Sequence, residues 1–292
     1  MADQFVPDEI TLSRAAKAFI AATSTESGEH IRPLHRYLAM RLVIEGGFLP
    51  EELSPTPPLK SEYHDGDWYL SFDPTAESKK ELIVLGALKS KRIDIVVAKE
   101  GIGPVLAVSV KGTSKAFRNL VNRTEEAIGD CANIHIMYPG LIYGFVHFLR
   151  ATDSTNRTLK PNDILLTEEG DVLGSVKDYA RILEGLTGRM LVRNDYSRYE
   201  SVGLCLLRVN ATERQSPLFE RFPVSENPLS LNTFFATLYR VYDLRFAYTY
   251  TDPGVRHLTR VSWHQDSAAL VSLHNKKLVK GSIDYSPRIS GT

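Results

Sequence analysis

Cysteine is scarce in this chain: Cys131 and Cys205 are the only two among 292 residues. Two cysteines cannot build a disulfide framework, and neither has a partner at the Cys-x-x-Cys spacing of a metal site. A reducing, cytoplasmic setting is therefore expected. Long apolar runs are also missing. No stretch approaches the ~18 uninterrupted apolar residues of a membrane-spanning helix, so no membrane partner is expected. The first residues, MADQFVPDEI, carry acids early and lack the apolar centre of a secretory signal. Nor is there an excess of either charge: 35 Lys and Arg face 35 Asp and Glu. That balance excludes a polybasic protein held to nucleic acid by bulk charge, but it leaves room for a local basic surface. No nucleophile elbow, phosphate-binding loop or dinucleotide fingerprint occurs. The histidines do not cluster. His30 and His35 share a helix at a spacing of five, not the i, i+4 of a zinc pair, while His135 and His147 lie in apolar surroundings.

What is present is a regular alternation of elements. Asp8 to Ala22 reads as an amphipathic helix, and Glu29 to Glu45 as a second, with Pro33 in its first turn and Gly46-Gly47 ending it. A loop rich in proline and acid follows, then a strand from Trp68 to Phe72. Arg92 to Ala98 and Val105 to Val110 are β-branched runs joined by a short Gly/Pro turn, the pattern of an antiparallel hairpin. Ser114 to Cys131 turns helical, and Ile134 to Leu149 is again strand-like. A helix over Val176 to Leu186, a strand over Val202 to Val209 and an aromatic-rich helix over Leu231 to Ala247 come next. The last 40 residues read as short strands and loops. Strand, strand, helix, strand specifies an α/β fold with a central mixed sheet flanked by helices. No linker breaks the composition, so one domain is expected over residues 1–292. Its core would span about 60–210, after a helical part at 1–59 and before a C-terminal elaboration at 211–292.

The chemistry is concentrated near the hairpin. Asp94 lies inside an apolar strand, between Ile93 and Ile95, where a carboxylate is costly unless it pairs or binds a cation. Fourteen residues separate it from Ser109, and Lys111 ends the neighbouring strand. Facing strands can bring Asp94 and Lys111 to one edge of the sheet. Carboxylates are hard oxygen ligands for Mg²⁺, which keeps several waters and accepts a substrate phosphate. Such an ion generates a nucleophile from bound water, and a nearby lysine can orient or deprotonate that water or stabilise developing charge. Metal-assisted phosphodiester hydrolysis is the reaction these residue types suit. Structural readings stand beside it: Asp94 could pair with Lys91 or Arg92, and Lys111 could be a solvated strand end.

RIDIVV followed by VLAVSVKGT resembles the PD-(D/E)xK nuclease superfamily, which includes most type II restriction endonucleases. Ser109 stands where the usual motif has an acid two residues before the lysine. A subgroup of type II enzymes shares this Ser-x-Lys and takes the missing carboxylate from the next helix, about fourteen residues after the lysine. Glu125, within NRTEEA, matches that offset, with the neighbouring Glu126 as the alternative ligand. The gap between the aspartate and Ser-x-Lys is shorter here than in that subgroup. The resemblance covers about residues 90–130. It implies a restriction-endonuclease-like fold and a Mg²⁺-dependent, sequence-specific double-stranded DNA endonuclease of a prokaryotic cytoplasm. It also implies a homodimer and products with 5′-phosphate and 3′-hydroxyl ends. On this view Asp94 and Glu125 hold the metal, Lys111 acts on the water and Ser109 is a spacer. An upstream glutamate often completes such sites. Glu62 is the first choice, ahead of Glu29 and Glu45. Another nuclease of the superfamily, or a decayed core that binds DNA without cutting, are the rival readings.

Charge is unevenly spread. Residues 1–85 hold eight basic and fourteen acidic side chains, whereas residues 86–126 and 239–292 each hold eight basic against four acidic. Lys115, Arg118 and Arg123 near the hairpin, and Arg256 and Arg260 in a C-terminal loop, are the candidate DNA contacts, each with a solvated surface charge as its alternative.

Overall fold

The computed structural model describes residues 5–22, 28–113, 120–153, 164–166, 171–172, 174–193, 195–209, 217–246, 258–280 and 283–290. Its centre is a six-stranded mixed sheet built on β1 (Leu53–Ser54), β6 (Ile95–Lys99), β7 (Gly103–Thr113), β8 (Ile142–Asp153) and β10 (Ser201–Arg208), in that order, with β9 (Ile164–Leu166) paired to the end of β8. β1–β6 and β6–β7 are antiparallel; β7–β8, β8–β9 and β8–β10 are parallel. Two small antiparallel ribbons accompany it: β2 (Leu59–His64) with β3 (Asp67–Phe72), and β4 (Leu82–Val84) with β5 (Lys91–Ile93). The first turns through Asp65 and Gly66, both at positive φ, as a tight two-residue hairpin requires.

Helices cover both faces of the sheet, and so its strands are apolar on both sides. Val108 and Val110 of β7, Val146 and Phe148 of β8 and Leu207 of β10 face one core. There they meet α1 (Leu12–Ala21), α2 (Arg32–Ile44), α5 (Leu231–Phe246) and α6 (Ala268–Lys280). Ala107, Tyr143, Phe145, Val202 and Leu204 face the other, against α3 (Leu120–Met137) and α4 (Gly174–Gly185). In α1 the buried Leu12, Ala15, Ala16 and Phe19 recur at helical spacing, the single apolar stripe expected of a surface helix. α2 is buried almost all round from Leu34 to Ile44, because it lies between the sheet and the C-terminal helices. Gly46 and Gly47 end it: a Cβ on Gly46 would stand 2.2 Å from the Leu42 carbonyl oxygen, and Gly47 has φ +72°. The first core takes residues from Ile10 to Tyr285, so segments far apart in the chain are built into it.

The α/β class, the mixed sheet and the β6–β7 hairpin agree with the sequence pattern. Three local expectations need correction. The run from Ile134 to Met137 is the last turn of α3, not the start of a strand. Ala127, Cys131 and Ile134 bury at i, i+4, i+7 against the second core, and the Tyr138 N–H still donates to the Ile134 carbonyl. The last 40 residues contain a helix, α6, rather than only short strands and loops. Ala269, Leu270 and Leu273 pack its inner face, and the Ser267 hydroxyl accepts from the Leu70 N–H of β3, joining the helix start to the ribbon. Lastly, the apolar run from Arg92 to Ala98 is broken at Asp94 into β5 and β6, which belong to different sheets. Among the described residues no helix is long and apolar enough to cross a membrane.

Gly144 of β8 lies under α5, where a Cβ would come 2.6 Å from the Cζ of the fully buried Phe234 ring. Gly144→Ala is expected to destabilise the protein by about 1–3 kcal/mol through overpacking. Urea unfolding of the variant would show the loss as a lower midpoint at unchanged slope.

Candidate functional site

The break at Asp94 sets the site. The residue stands where the chain leaves the β4–β5 ribbon and enters the central sheet, and its Oδ2 accepts the Val110 N–H at 2.7 Å. The carboxylate is thereby fixed against the β7 backbone one residue before Lys111. Its other oxygen, Oδ1, faces the Nε2 of His35 on α2 at 3.9 Å, too far for a hydrogen bond. Glu81, just before β4, joins them: one ligand atom each from His35, Glu81 and Asp94 lie within 4.8 Å of one another. Among the described residues this is the one such group of His, Cys, Asp or Glu able to hold an ion.

The electrostatics are those of a crowded, partly desolvated cluster. His35 is buried, and desolvation lowers its pKa; Asp94 opposes that shift, while Arg32, His30 and Lys111 add to it. The imidazole is therefore biased towards its neutral form, which has a lone pair to offer. Burial raises the Glu81 carboxyl, and the Asp94 charge raises it further, against the pull of Arg92 and Arg32. The cluster opens into a groove of ≈ 220 Å³ between the first turns of α2 and residues 55–57 and 77–81, with Arg32, Pro33, Pro55 and Lys79 among its walls.

On the other side of β7, a small cavity lies under α3 and α4. Ser109, Lys111, Arg123, Glu126, His147 and Tyr179 are among the residues that line it. The alternation of β7 explains this arrangement. Val108 and Val110 turn to the first core, so Ser109, Lys111 and Thr113 turn to the cavity side, level with Phe145, His147 and Leu149 of β8. Ser109 Oγ is hydrogen-bonded to the Tyr143 hydroxyl at 2.7 Å, and the Thr113 hydroxyl to His147 Nε2 at 2.6 Å. Lys111 is half-buried and acts electrostatically on both His35 and His147.

The structure thus brings Asp94 to the backbone beside Lys111, with Ser109 on the same strand. Glu125 and Glu62 are not brought to them; Glu126, the alternative to Glu125, lines the cavity of Ser109 and Lys111, and Glu29 lines the groove of His35 and Glu81. Glu125 is exposed on α3; the helix turns Arg123, Glu126 and Ala127 towards the cavity instead, because i, i+3 and i+4 share a face. Glu62 is exposed on the β2–β3 ribbon and pairs with Lys60 at 2.8 Å. Glu29 is exposed and pairs with Arg32, and Glu45 pairs with Arg41. Of the candidate DNA contacts, Arg123 lines the cavity, with its Nε buried and lacking a hydrogen-bond partner among the described residues. Arg260 is engaged internally: its guanidinium holds Asp243 through two hydrogen bonds, donates to the Gly46 carbonyl and covers the Tyr239 ring. Lys115, Arg118 and Arg256 lie outside the described residues.

Sequence reasoning missed His35 and Glu81. His35 was visible as one polar residue within an apolar helix face. Glu81 carries no local signal, since only the path of the β4–β5 ribbon returns it to Asp94. No protein-family model matches the chain, and no curated protein or solved structure matches it either.

His147 provides a test of this architecture. Burial, aided by the positive charges of Arg123 and Lys111, pushes its imidazole down to about 3 from an ordinary 6.5. The unfolded chain therefore binds a proton that the native state refuses. The corresponding stability is complete above pH ~6.5 and is lost as pH falls towards ~3. Urea unfolding across this range should show the wild type losing stability relative to His147→Gln as pH drops; parallel curves would mean that folding does not depress the pKa of His147.

Proposed function

We propose that the chain is a divalent-metal-dependent DNA endonuclease with a restriction-endonuclease-like core, and that type II site-specific cleavage by a homodimer is its role. The observation that carries this reading is the placement of Asp94. A carboxylate held by the Val110 N–H stands beside the strand end bearing Lys111, with His35 and Glu81 completing a ligand cluster. The order of elements around it is in keeping with the resemblance of RIDIVV and VLAVSVKGT to the PD-(D/E)xK nucleases.

The donor set fits a cation, since its buried imidazole nitrogen has no hydrogen-bond partner and two carboxylates crowd it. A bound divalent ion would supply a nucleophilic water and charge stabilisation on the scissile phosphate. Asp94, Glu81 and His35 would hold it. Lys111, without an ion pair among the described residues, orients the attacking water or stabilises charge on the phosphate oxygens. Ser109 does not bind the metal on this reading: its hydroxyl is held by Tyr143, so it stiffens the strand that presents Lys111. Arg32 and Lys79, on the groove into which the cluster opens, are the described basic residues nearest a phosphate at the site, whereas Arg123 lines the cavity across β7. Glu125 and Glu62 have no part in the cluster.

A non-cleaving DNA-binding protein is the second reading, favoured by Ser109 occupying the acid position of the usual motif while bonded elsewhere. Plasmid DNA incubated with the purified protein and Mg²⁺ or Mn²⁺ separates the two. Discrete fragments with 5′-phosphate ends support site-specific cleavage, and a smear supports a less specific nuclease of the same chemistry. Retention of intact DNA supports the second reading. In the first two cases Asp94→Asn and Lys111→Ala are each expected to lower the cleavage rate by at least about 10²-fold while DNA binding persists. Full activity in either variant would overturn the site.

A further inference from the structure

We infer that His35, Glu81 and Asp94 form a three-ligand site for a transition-series divalent cation of the Mn²⁺ class, in preference to Mg²⁺. This deepens the nuclease reading by naming the metal on which it rests. The residues arrive from three separate elements: the first turns of α2, the residue before β4, and the β5–β6 junction. No short sequence motif therefore encloses them, and only the fold holds their ligand atoms within 4.8 Å of one another.

His35 supplies the independent observation. The side chain is 8% exposed, and its Nε2 has no hydrogen-bond partner among the described residues. A buried polar nitrogen left unmatched is costly, and native structures rarely keep one without a role. This nitrogen points at Asp94 Oδ1 from 3.9 Å, a gap too long for a hydrogen bond but suited to an ion between them, since metal–nitrogen and metal–oxygen bonds are about 2.0–2.2 Å. The Val110 N–H occupies Asp94 Oδ2 and so leaves Oδ1 directed at the cluster, the kind of outer hydrogen bond that orients a metal ligand. Arg92 approaches Glu81 Oε2 only at 3.8 Å, and its own side chain is largely exposed, so this contact does not close the cluster.

The donor chemistry sets the metal class. Mg²⁺ seeks oxygen ligands and sheds water reluctantly, whereas imidazole with carboxylates suits first-row transition ions. Three protein ligands leave further positions for water or a phosphate oxygen, and the groove along Arg32, Pro33, Pro55 and Lys79 gives them access.

The test is MnCl₂ titration of the full chain without DNA, followed by the loss of the free Mn²⁺ paramagnetic signal, with MgCl₂ as competitor. One Mn²⁺ per chain is expected, displaced only by at least about a tenfold excess of Mg²⁺. His35→Gln and Glu81→Gln should each weaken Mn²⁺ binding at least about tenfold. His35→Gln should also narrow the preference over Mg²⁺. Glu81 is partly exposed, so Glu81→Gln keeps the test valid even if the buried His35 variant fails to fold. Absence of Mn²⁺ binding by the wild type, equal affinity for the two ions, or unchanged binding by Glu81→Gln overturns the proposal. Tight Mn²⁺ binding by a protein that leaves DNA intact would refute the nuclease reading alone.

Discussion

Strand β7 is covered on both faces, and much of the rest of the molecule follows from that constraint. A strand in the middle of a doubly covered sheet can be apolar throughout, yet the second half of this one carries Ser109, Lys111 and Thr113. Each polar group turned into a low-dielectric layer needs a partner. Tyr143 serves Ser109, and His147 serves Thr113, itself held between that hydroxyl and Tyr179. Lys111 falls at the position where the cover thins, half-buried at the boundary between core and solvent.

The same strand joins the two directions of the sheet. It is antiparallel to β6 and parallel to β8, so the hairpin loop and the end that bears Lys111 lie at opposite ends of β7. Asp94 enters at the Lys111 end because the chain must leave the β4–β5 ribbon there to begin β6. A carboxylate at that break takes the Val110 N–H, a backbone donor at the point where the β6–β7 ladder ends. The energetic solution to a sheet edge thus also leaves one carboxylate oxygen aimed at α2. The charge pattern of the chain meets there too. Glu81 belongs to the acidic first 85 residues and Lys111 to the basic segment that follows, so the cluster lies on the seam between them.

Other buried charge in the fold is structural. Glu200, fully buried, takes the Tyr143 N–H and the guanidinium groups of Arg189 and Arg245, with His135 at 3.3 Å. Those contacts tie β8, α5 and the segment before β10 together. They also enclose His135 in the core, while His147 is held there separately by the Thr113 and Tyr179 hydroxyls.

The sequence by itself determined the α/β class, the β6–β7 hairpin and the isolation of Asp94 and Lys111 as polar residues in apolar runs, but not the change of sheet at Asp94. These rest on local periodicity and turn chemistry, which short segments carry. Periodicity was blind at Ile134–Met137, where an apolar helical turn and a strand look alike, and at α6, whose apolar stripe is thin. Distance from Lys111 along the chain points to Glu125, but the 3.6-residue turn of α3 presents Glu126 to the cavity instead. His35 and Glu81 were decided only by the tertiary structure. Their meeting with Asp94 depends on the packing of α2 and on the return of the β4–β5 ribbon, distances in space that no spacing in the chain encodes.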